Sequence, residues 1–328
     1  MRYVRMCAMA LALFIGESTM AQEDSVFSAV WWNVENLFDT RDDPHTNDDE
    51  FTPQGDMHWT RRKLQAKLQG IAKTLAMADL PDVVGLAEVE NSYVLRELCQ
   101  GTPLARAGYR YVHRNSPDRR GIDCALLYRT DRFRVLKDSV VRVSDSAECF
   151  FTRDILVVEG VTAQGDTVSL VLNHWPSKRG GDEAEAHRMA IADTLRRLMN
   201  ELHTEHPQGA VIAMGDMNST ADEAPMAVGM GFGDDSTNAD GIRNLTWRLP
   251  REWGSHKFQG QWDYIDQVLL LAGEGWIVGD LKLLRYDHLL TDEKNRPGMR
   301  PRRTNQGPRY EGGLSDHLPL RLRLRRRR

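Results

Sequence analysis

Short apolar runs that end in hydrogen-bonding side chains recur along the chain, and they predict strands with polar groups at their exits. Val26–Trp32 runs into Asn33-Val34-Glu35-Asn36, and Asp82–Ala87 is followed by Glu88. Val168–Leu172 ends at Asn173-His174, and the run that starts at Val211 breaks at Gly215 into Asp216-Met217-Asn218. Ile265–Leu271 carries Asp266-Gln267 inside its apolar sequence, and Leu320–Leu324 follows Ser315-Asp316-His317. Taken singly, each exit fits an ordinary turn, because Asp and Asn favour turns. The alternative is that the exits converge on one site.

Tyr109–His113 and Cys124–Tyr128 also read as strands, while Phe133–Val143 and Ile155–Val161 alternate as antiparallel strands with one wet face would. Leu64, Leu68, Ile71 and Leu75 recur at helical spacing and predict a helix capped by Thr60 that runs to about Ala78. Arg61, Arg62, Lys63 and Lys67 fall off that apolar stripe. A short helix is expected at Val94–Leu98, and a longer one opens at Asp182 with Ile191, Leu195, Leu198 and Leu202 on one side. Asp39–Met57, Ala221–Gln259 and Tyr286–Tyr310 read as loops. The first carries Asp42, Asp43, Asp48, Asp49 and Glu50 without EF-hand spacing, which fits a solvated loop better than a cation site. The second interleaves Trp247, Trp253 and Phe258 with His256 and Lys257, suited either to contacts with bases or sugars or to a small core of its own. Neither an internal repeat nor a low-complexity linker is evident, so one domain is expected over residues 22–324.

Composition changes this picture little: 41% hydrophobic and 27% charged residues suit a globular protein with a sizeable core. The net charge of −4 means that the overall field does not hold nucleic acid, so any polyanion contact depends on a local patch. Arg2 and Arg5, the apolar run Met6–Ile15 and the small residues around Thr19-Met20-Ala21 read as a signal peptide over residues 1–21, with a buried N-terminal helix as the alternative. Export to the periplasm or beyond is therefore expected. No later run is apolar enough to predict membrane insertion. Three cysteines would remain, Cys99, Cys124 and Cys149; two of them can pair in an exported chain, Cys124 reads as a core residue, and the spacing fits no zinc motif. Arg325–Arg328 reads as a disordered basic tail, and a monomer is expected.

The polar exits supply carboxylates, carboxamides and imidazoles. This mixture is wrong for structural zinc and suits Mg²⁺ or Mn²⁺, with Ca²⁺ a further option. Asp216 can orient and deprotonate water, and Asn218 can hydrogen-bond a phosphoryl oxygen. His174 can donate a proton or bond a phosphate, or simply pack beside Trp175. Glu88 needs a partner or a metal if it is buried, and Asp266 in its apolar run wants a histidine. A phosphate-cradling Gly-rich loop and a G-x-S-x-G elbow are both missing from the sequence, which disfavours nucleotide-driven phosphoryl transfer and serine hydrolysis.

WNVENL (Trp32–Leu37), GLAEVEN (Gly85–Asn91), LNHWPSKRGG (Leu172–Gly181), GDMN (Gly215–Asn218), IDQVLL (Ile265–Leu270) and SDHLP (Ser315–Pro319) occur in this order. Together they resemble the endonuclease/exonuclease/phosphatase superfamily, which is DNase I-like, and the wording NHWPSKRGG resembles its exported bacterial branch. The resemblance implies a four-layer α/β sandwich of two packed, mostly antiparallel sheets flanked by helices. It implies Glu88 as principal metal ligand, assisted by Glu35 and Asp316, with Asn33 holding metal or phosphate. Asp216 would orient the attacking water, Asn218 the phosphoryl oxygens, and His317 would contact the scissile phosphate with Asp266 fixing its ring. His174 would stand near the leaving group. Gln267 replaces the family's frequent Tyr, Asp263 competes with Asp266, and Trp175 is larger than many counterparts. The expected function is an exported divalent-metal-dependent phosphodiesterase, foremost an endonuclease. The alternatives are a phosphomonoesterase or sphingomyelinase-like enzyme with the same core, acting on a small phosphate ester or a lipid, and an inactive surface-binding protein.

Overall fold

The structure is a computed structural model that describes residues 25–143, 152–294 and 296–327. The expected signal peptide, Cys149 and Arg328 lie outside these residues. In chain order the strands are β1 (Ser25–Leu37), β2 (Val83–Val89), β3 (Tyr109–His113), β4 (Asp123–Arg129), β5 (Phe133–Val141), β6 (Ile155–Thr162), β7 (Thr167–His174), β8 (Ala210–Asp216) and β9 (Arg243–Asn244). They continue with β10 (His256–Phe258), β11 (Gln261–Asp263), β12 (Asp266–Ala272), β13 (Trp276–Leu283), β14 (Leu290–Asp292), β15 (Met299–Pro301), β16 (Asn305–Gln306), β17 (Arg309–Tyr310) and β18 (Leu320–Arg326). The helices are α1 (Arg61–Met77), α2 (Ser92–Gln100) and α3 (Gly181–Glu205).

Two six-stranded sheets form the centre, in the orders β13-β18-β1-β2-β4-β3 and β5-β6-β7-β8-β12-β9. Each has one parallel pair, β1/β2 and β7/β8, and is otherwise antiparallel. The alternation of strand side chains sends one set between the sheets, where Trp31, Leu126, Leu172, Met214 and Leu270 pack. Opposite faces meet helices: Leu64, Leu68 and Ile71 of α1 cover the first sheet, and Ile191, Leu195 and Met199 of α3 cover the second. This is the four-layer α/β sandwich expected from the resemblance.

Several expectations need correction. β6 is buried on both faces, because Leu156 and Val158 face the other sheet while Ile155 and Val157 face the α3 side. β13, unread in the sequence, forms an edge of the first sheet beside β18. Two short hairpins, β14/β15 and β16/β17, organise the loop expected over Tyr286–Tyr310. Arg325 and Arg326 are not tail residues: they close β18, opposite Val26 and Ser25. Cys99 and Cys124 are free, buried thiols, which removes the pairing of those two with each other. Among the described residues, no helix is long and apolar enough to cross a membrane.

Lys67 is the correction with most consequence. It stands three residues after Leu64 and four before Ile71, so it shares their face, and it is only 2% exposed. Its Nζ donates to the Glu35 carbonyl and, at 2.5 Å, to Thr304 Oγ1.

Gly85 has a packing reason to be glycine: a Cβ there would lie 2.8 Å from Leu172 Cδ2 and 2.9 Å from the Trp31 ring. Gly85→Ala should overpack the space between the sheets and cost about 1–3 kcal/mol in urea unfolding. An unchanged midpoint would show that Trp31 does not depend on this space.

Candidate active site

The two parallel pairs end at the same cleft. Asn33 lies opposite Ala87 across β1/β2, and His174 lies opposite Asp216 across β7/β8. On the other side of β8, Asp266 of β12 is paired with Asp216. The register shifts between Asn33 and Leu37 and again between Leu86 and Val89, and bulges of this kind re-aim side chains. Glu35, Asn36, Glu88 and Asn218 all have positive φ, from 46° to 62°, a conformation that costs a non-glycine residue energy and clusters at functional sites.

A hydrogen-bonded relay crosses between the sheets. Asp266 accepts from Trp31 Nε1 through Oδ1 and pairs with His317 Nδ1 through Oδ2, both at 2.7 Å. Ser315 Oγ accepts from the His317 amide at 2.9 Å and donates to the Asn33 carbonyl at 2.6 Å. The far nitrogen of His317 stands 3.6 Å from Asp216, and His174 Nε2 stands 3.7 Å from the same oxygen. Asn33 Nδ2 donates to that oxygen at 3.0 Å and to Glu88 at 3.4 Å. Asn218 donates through its side chain to the Trp175 carbonyl and through its backbone to Asp216.

Burial works against a charged His317, but Asp266 and Asp216 carry its pKa well above the ordinary imidazole range. Burial pushes the Asp216 carboxyl up to about 7, opposed by the His317 charge and aided by Asp266. His174 is held well below the usual range by burial and then by Arg153, Arg120 and His317.

On the acidic side, Glu88 accepts from the Asn36 amide at 2.8 Å. Glu35 accepts from the Thr304 amide at 2.7 Å, and burial followed by the Asp316 charge pushes its carboxyl up to about 8. Arg303 lies between the two carboxylates: its guanidinium bonds Asp316, and its Nε is 3.5 Å from Glu35. Burial opposes ionisation of Asp316, yet His317, Arg303 and His256 hold it below the usual carboxylate range.

Glu35, Glu88, His174, Asp216, Asn218, Asp316 and His317 line one cleft of about 730 Å³. Asn33 and Asp266 lie beneath its floor as buried supports. All nine expected residues are thus gathered in one place. Asp263 lines the cleft and bonds Gln261 rather than His317, so the choice of Asp266 over Asp263 as the histidine partner agrees with the geometry. Gln267 replaces a phenol with an amide that links Asn244, the Ser219 carbonyl and the Tyr264 carbonyl. Trp175 turns into the α3 side of the core, away from the cleft.

Three basic stretches, Arg119-Arg120, Lys178-Arg179 and Arg300–Arg309, are the candidates for a local phosphate-tracking patch, and they divide. Arg120, Lys178, Arg179 and Arg303 line the cleft, whereas Arg300 is taken up by Glu311. Arg153 was missed; it lines the cleft and reaches the His174 and Trp175 carbonyls at 3.4 Å, a placement no spacing signal reveals. His256 was read only as part of an aromatic loop, but its ring lies against that of His317, tilted by 39° with centroids 4.8 Å apart. Trp253 packs at 5.0 Å on Trp262, which lies beyond that loop and rests against the core on the α1 side, with Arg285 and Lys257 over the two rings, while Phe258 is exposed.

The sequence profile of the Endonuclease/Exonuclease/phosphatase family matches residues 28–326. The chain belongs to that family. Members are phosphoric ester hydrolases that generally use divalent metals. Solved structures share the fold. A Bacteroides thetaiotaomicron protein of this family superposes with a TM-score of 0.59 at 16% identity, covering 92% of this chain and 95% of that one. D. rerio TDP2 in complex with a single-strand DNA product gives 0.57 at 18%, covering 92% and 99%. A Bacteroides thetaiotaomicron mannosyl-6-phosphatase gives 0.56 at 16%, covering 91% and 99%. No curated protein sequence matches the chain.

The donor chemistry fits a family-type cation. Glu35, Glu88 and Asp316 offer carboxylate oxygens, whereas the Asn33 side-chain oxygen accepts from the Glu35 amide and its Nδ2 faces Glu88 and Asp216. Neither Glu35 nor Glu88 falls in a described group of acid and imidazole side chains whose ligand atoms lie within 4.8 Å of one another; Asp316 does, with His256 and His317.

Lys67→Met should remove a buried cation beneath this acidic side and free the Glu35 carbonyl. We expect a loss on the order of 3 kcal/mol in urea unfolding. Stability equal to wild type would show that the lysine merely fills space.

Proposed function

We propose that the protein is an exported, Mg²⁺- or Mn²⁺-dependent phosphodiesterase, foremost an endonuclease acting on nucleic acid, and that it works as a monomer. The observation that carries this reading is the cleft wall. Arg120, Arg153, Lys178 and Arg179 flank an acid–imidazole centre in an open groove, although the chain as a whole is acidic. A groove with local positive charge can seat a phosphate backbone that the net field would repel. The DNA product bound by D. rerio TDP2 supports a nucleic-acid substrate for a chain of this fold. The basic, apolar and small-residue pattern of residues 1–21 supports export.

In this reading Asp216, raised toward neutrality, takes a proton from water and directs it at phosphorus. The His317 imidazolium, fixed by Asp266, faces the phosphoryl oxygen and offsets its growing charge. Neutral His174 serves as a hydrogen-bond donor near the leaving group rather than as a strong acid. Asn218, aimed by its bond to the Trp175 carbonyl, helps seat the phosphate. Glu88, Glu35 and Asp316 would hold the cation, which when bound neutralises charge on the phosphoryl group, and Asn33 would brace Glu88 from beneath.

Supercoiled plasmid, p-nitrophenyl phosphate and sphingomyelin, each with Mg²⁺ or EDTA, separate the substrate classes. Nicking of plasmid with Mg²⁺ and not with EDTA is expected, and Asp216→Asn or His317→Ala should lower kcat about 10³-fold. Intact plasmid beside a hydrolysed monoester would overturn the nuclease reading.

A further inference from the structure

We propose that Arg303 is a resident counter-ion of the cation site: it holds Glu35 and Asp316 together when no divalent ion is bound, and it moves onto the substrate phosphate when one enters. The inference rests on the metal-dependent reading above.

The placement comes first. Arg303 bonds Asp316 and stands 3.5 Å from Glu35, so it spans two of the residues expected to ligate the cation. The Arg303 Nε is buried without a hydrogen-bond partner, so the fork is not fully satisfied where it lies. Its side chain is nevertheless 38% exposed, and it lines the same cleft as Asp216 and His317.

The backbone is fixed while the head group is not. Arg302 N donates to the Leu289 carbonyl at 2.8 Å, Thr304 N to Glu35 at 2.7 Å, and Gly313 N to the Arg303 carbonyl at 2.9 Å. Thr304 is held in turn by Lys67. Gly313 has to be glycine for this strap to close, since a Cβ would lie 1.9 Å from the Arg302 carbonyl oxygen. The side chain can therefore swing without unseating the strap.

Charge supplies the direction. Glu35, Glu88 and Asp316 are balanced in part by Lys67 and Arg303. A divalent ion among these carboxylates repels the guanidinium, and a phosphate seated in the same cleft offers it a bidentate partner. Cation and phosphate then bind with mutual reinforcement, each favouring the outward position of the same side chain.

Free Mn²⁺, followed by its EPR signal, measures this directly on the full chain. Arg303→Gln should bind Mn²⁺ roughly tenfold more tightly than wild type when no phosphate is present. Inorganic phosphate should raise Mn²⁺ affinity about fivefold or more in wild type, and by a smaller factor in Arg303→Gln. At saturating Mn²⁺ the same variant should lose roughly tenfold in kcat/KM on a diester, and Arg303→Lys should recover most of both effects. If Arg303→Gln melts early, Arg303→Met provides the same comparison without the amide. Mn²⁺ affinity in Arg303→Gln and Arg303→Met equal to or weaker than wild type, in a chain that still binds Mn²⁺, overturns the role of Arg303 alone. Absence of Mn²⁺ binding in wild type and variants overturns the metal-dependent reading with it.

Discussion

The carboxylate of Asp266 joins the two sheets. It belongs to β12 in one sheet, while its partners Trp31 and His317 come from β1 and from the turn before β18 in the other. A fully buried carboxylate is costly without donors, so the pair of bonds is demanded by desolvation. The sheets must therefore pack in one registration, and that registration sets where His317 meets Asp216. Cleft geometry and core packing are here the same constraint, with Trp31 taking part in both.

A second constraint is the crowding of acids on the β1/β2 side. Glu35 and Glu88 sit on left-handed residues in bulged strands, where the backbone aims them into the cleft rather than along the pleat. Burial of Glu35 beside Asp316 is unfavourable, and the protein answers from opposite directions. Lys67 comes from helix α1 beneath, and Arg303 from the strap above. The lower cation is locked by two acceptors; the upper one keeps access to solvent.

Much of this was legible in the residue order. Asp216, Asn218, Glu88 and His174 follow apolar runs and His317 precedes one, and strand periodicity places such residues at sheet ends, where they can meet. The Asp266–His317 pairing follows from the same logic, because a carboxylate inside a buried run needs a donor. Lys67 was not legible: helical spacing puts it on the apolar face, but hydropathy argues for solvent, and only its tertiary acceptors decide between them. Arg153 and Arg303 stand in stretches without strand or helix periodicity, and their placement depends on loops folding back over the sheets. β13 has a bulge at Val278–Asp280 that breaks the alternation, which hides an edge strand.

The pairing of β1 with β18 has a consequence for how the molecule can be attached to anything else. Ser25 faces Arg326, at the edge of the sandwich remote from Asn33, and a strand rise of about 3.3 Å per residue separates Ser25 from Asn33 by roughly 26 Å. A linker, fusion partner or surface tether joined at either position would thus leave the groove unobstructed. Joining the two positions to each other and reopening the chain at an exposed turn such as Ala163–Gly165 should preserve every strand pairing on which the cleft depends.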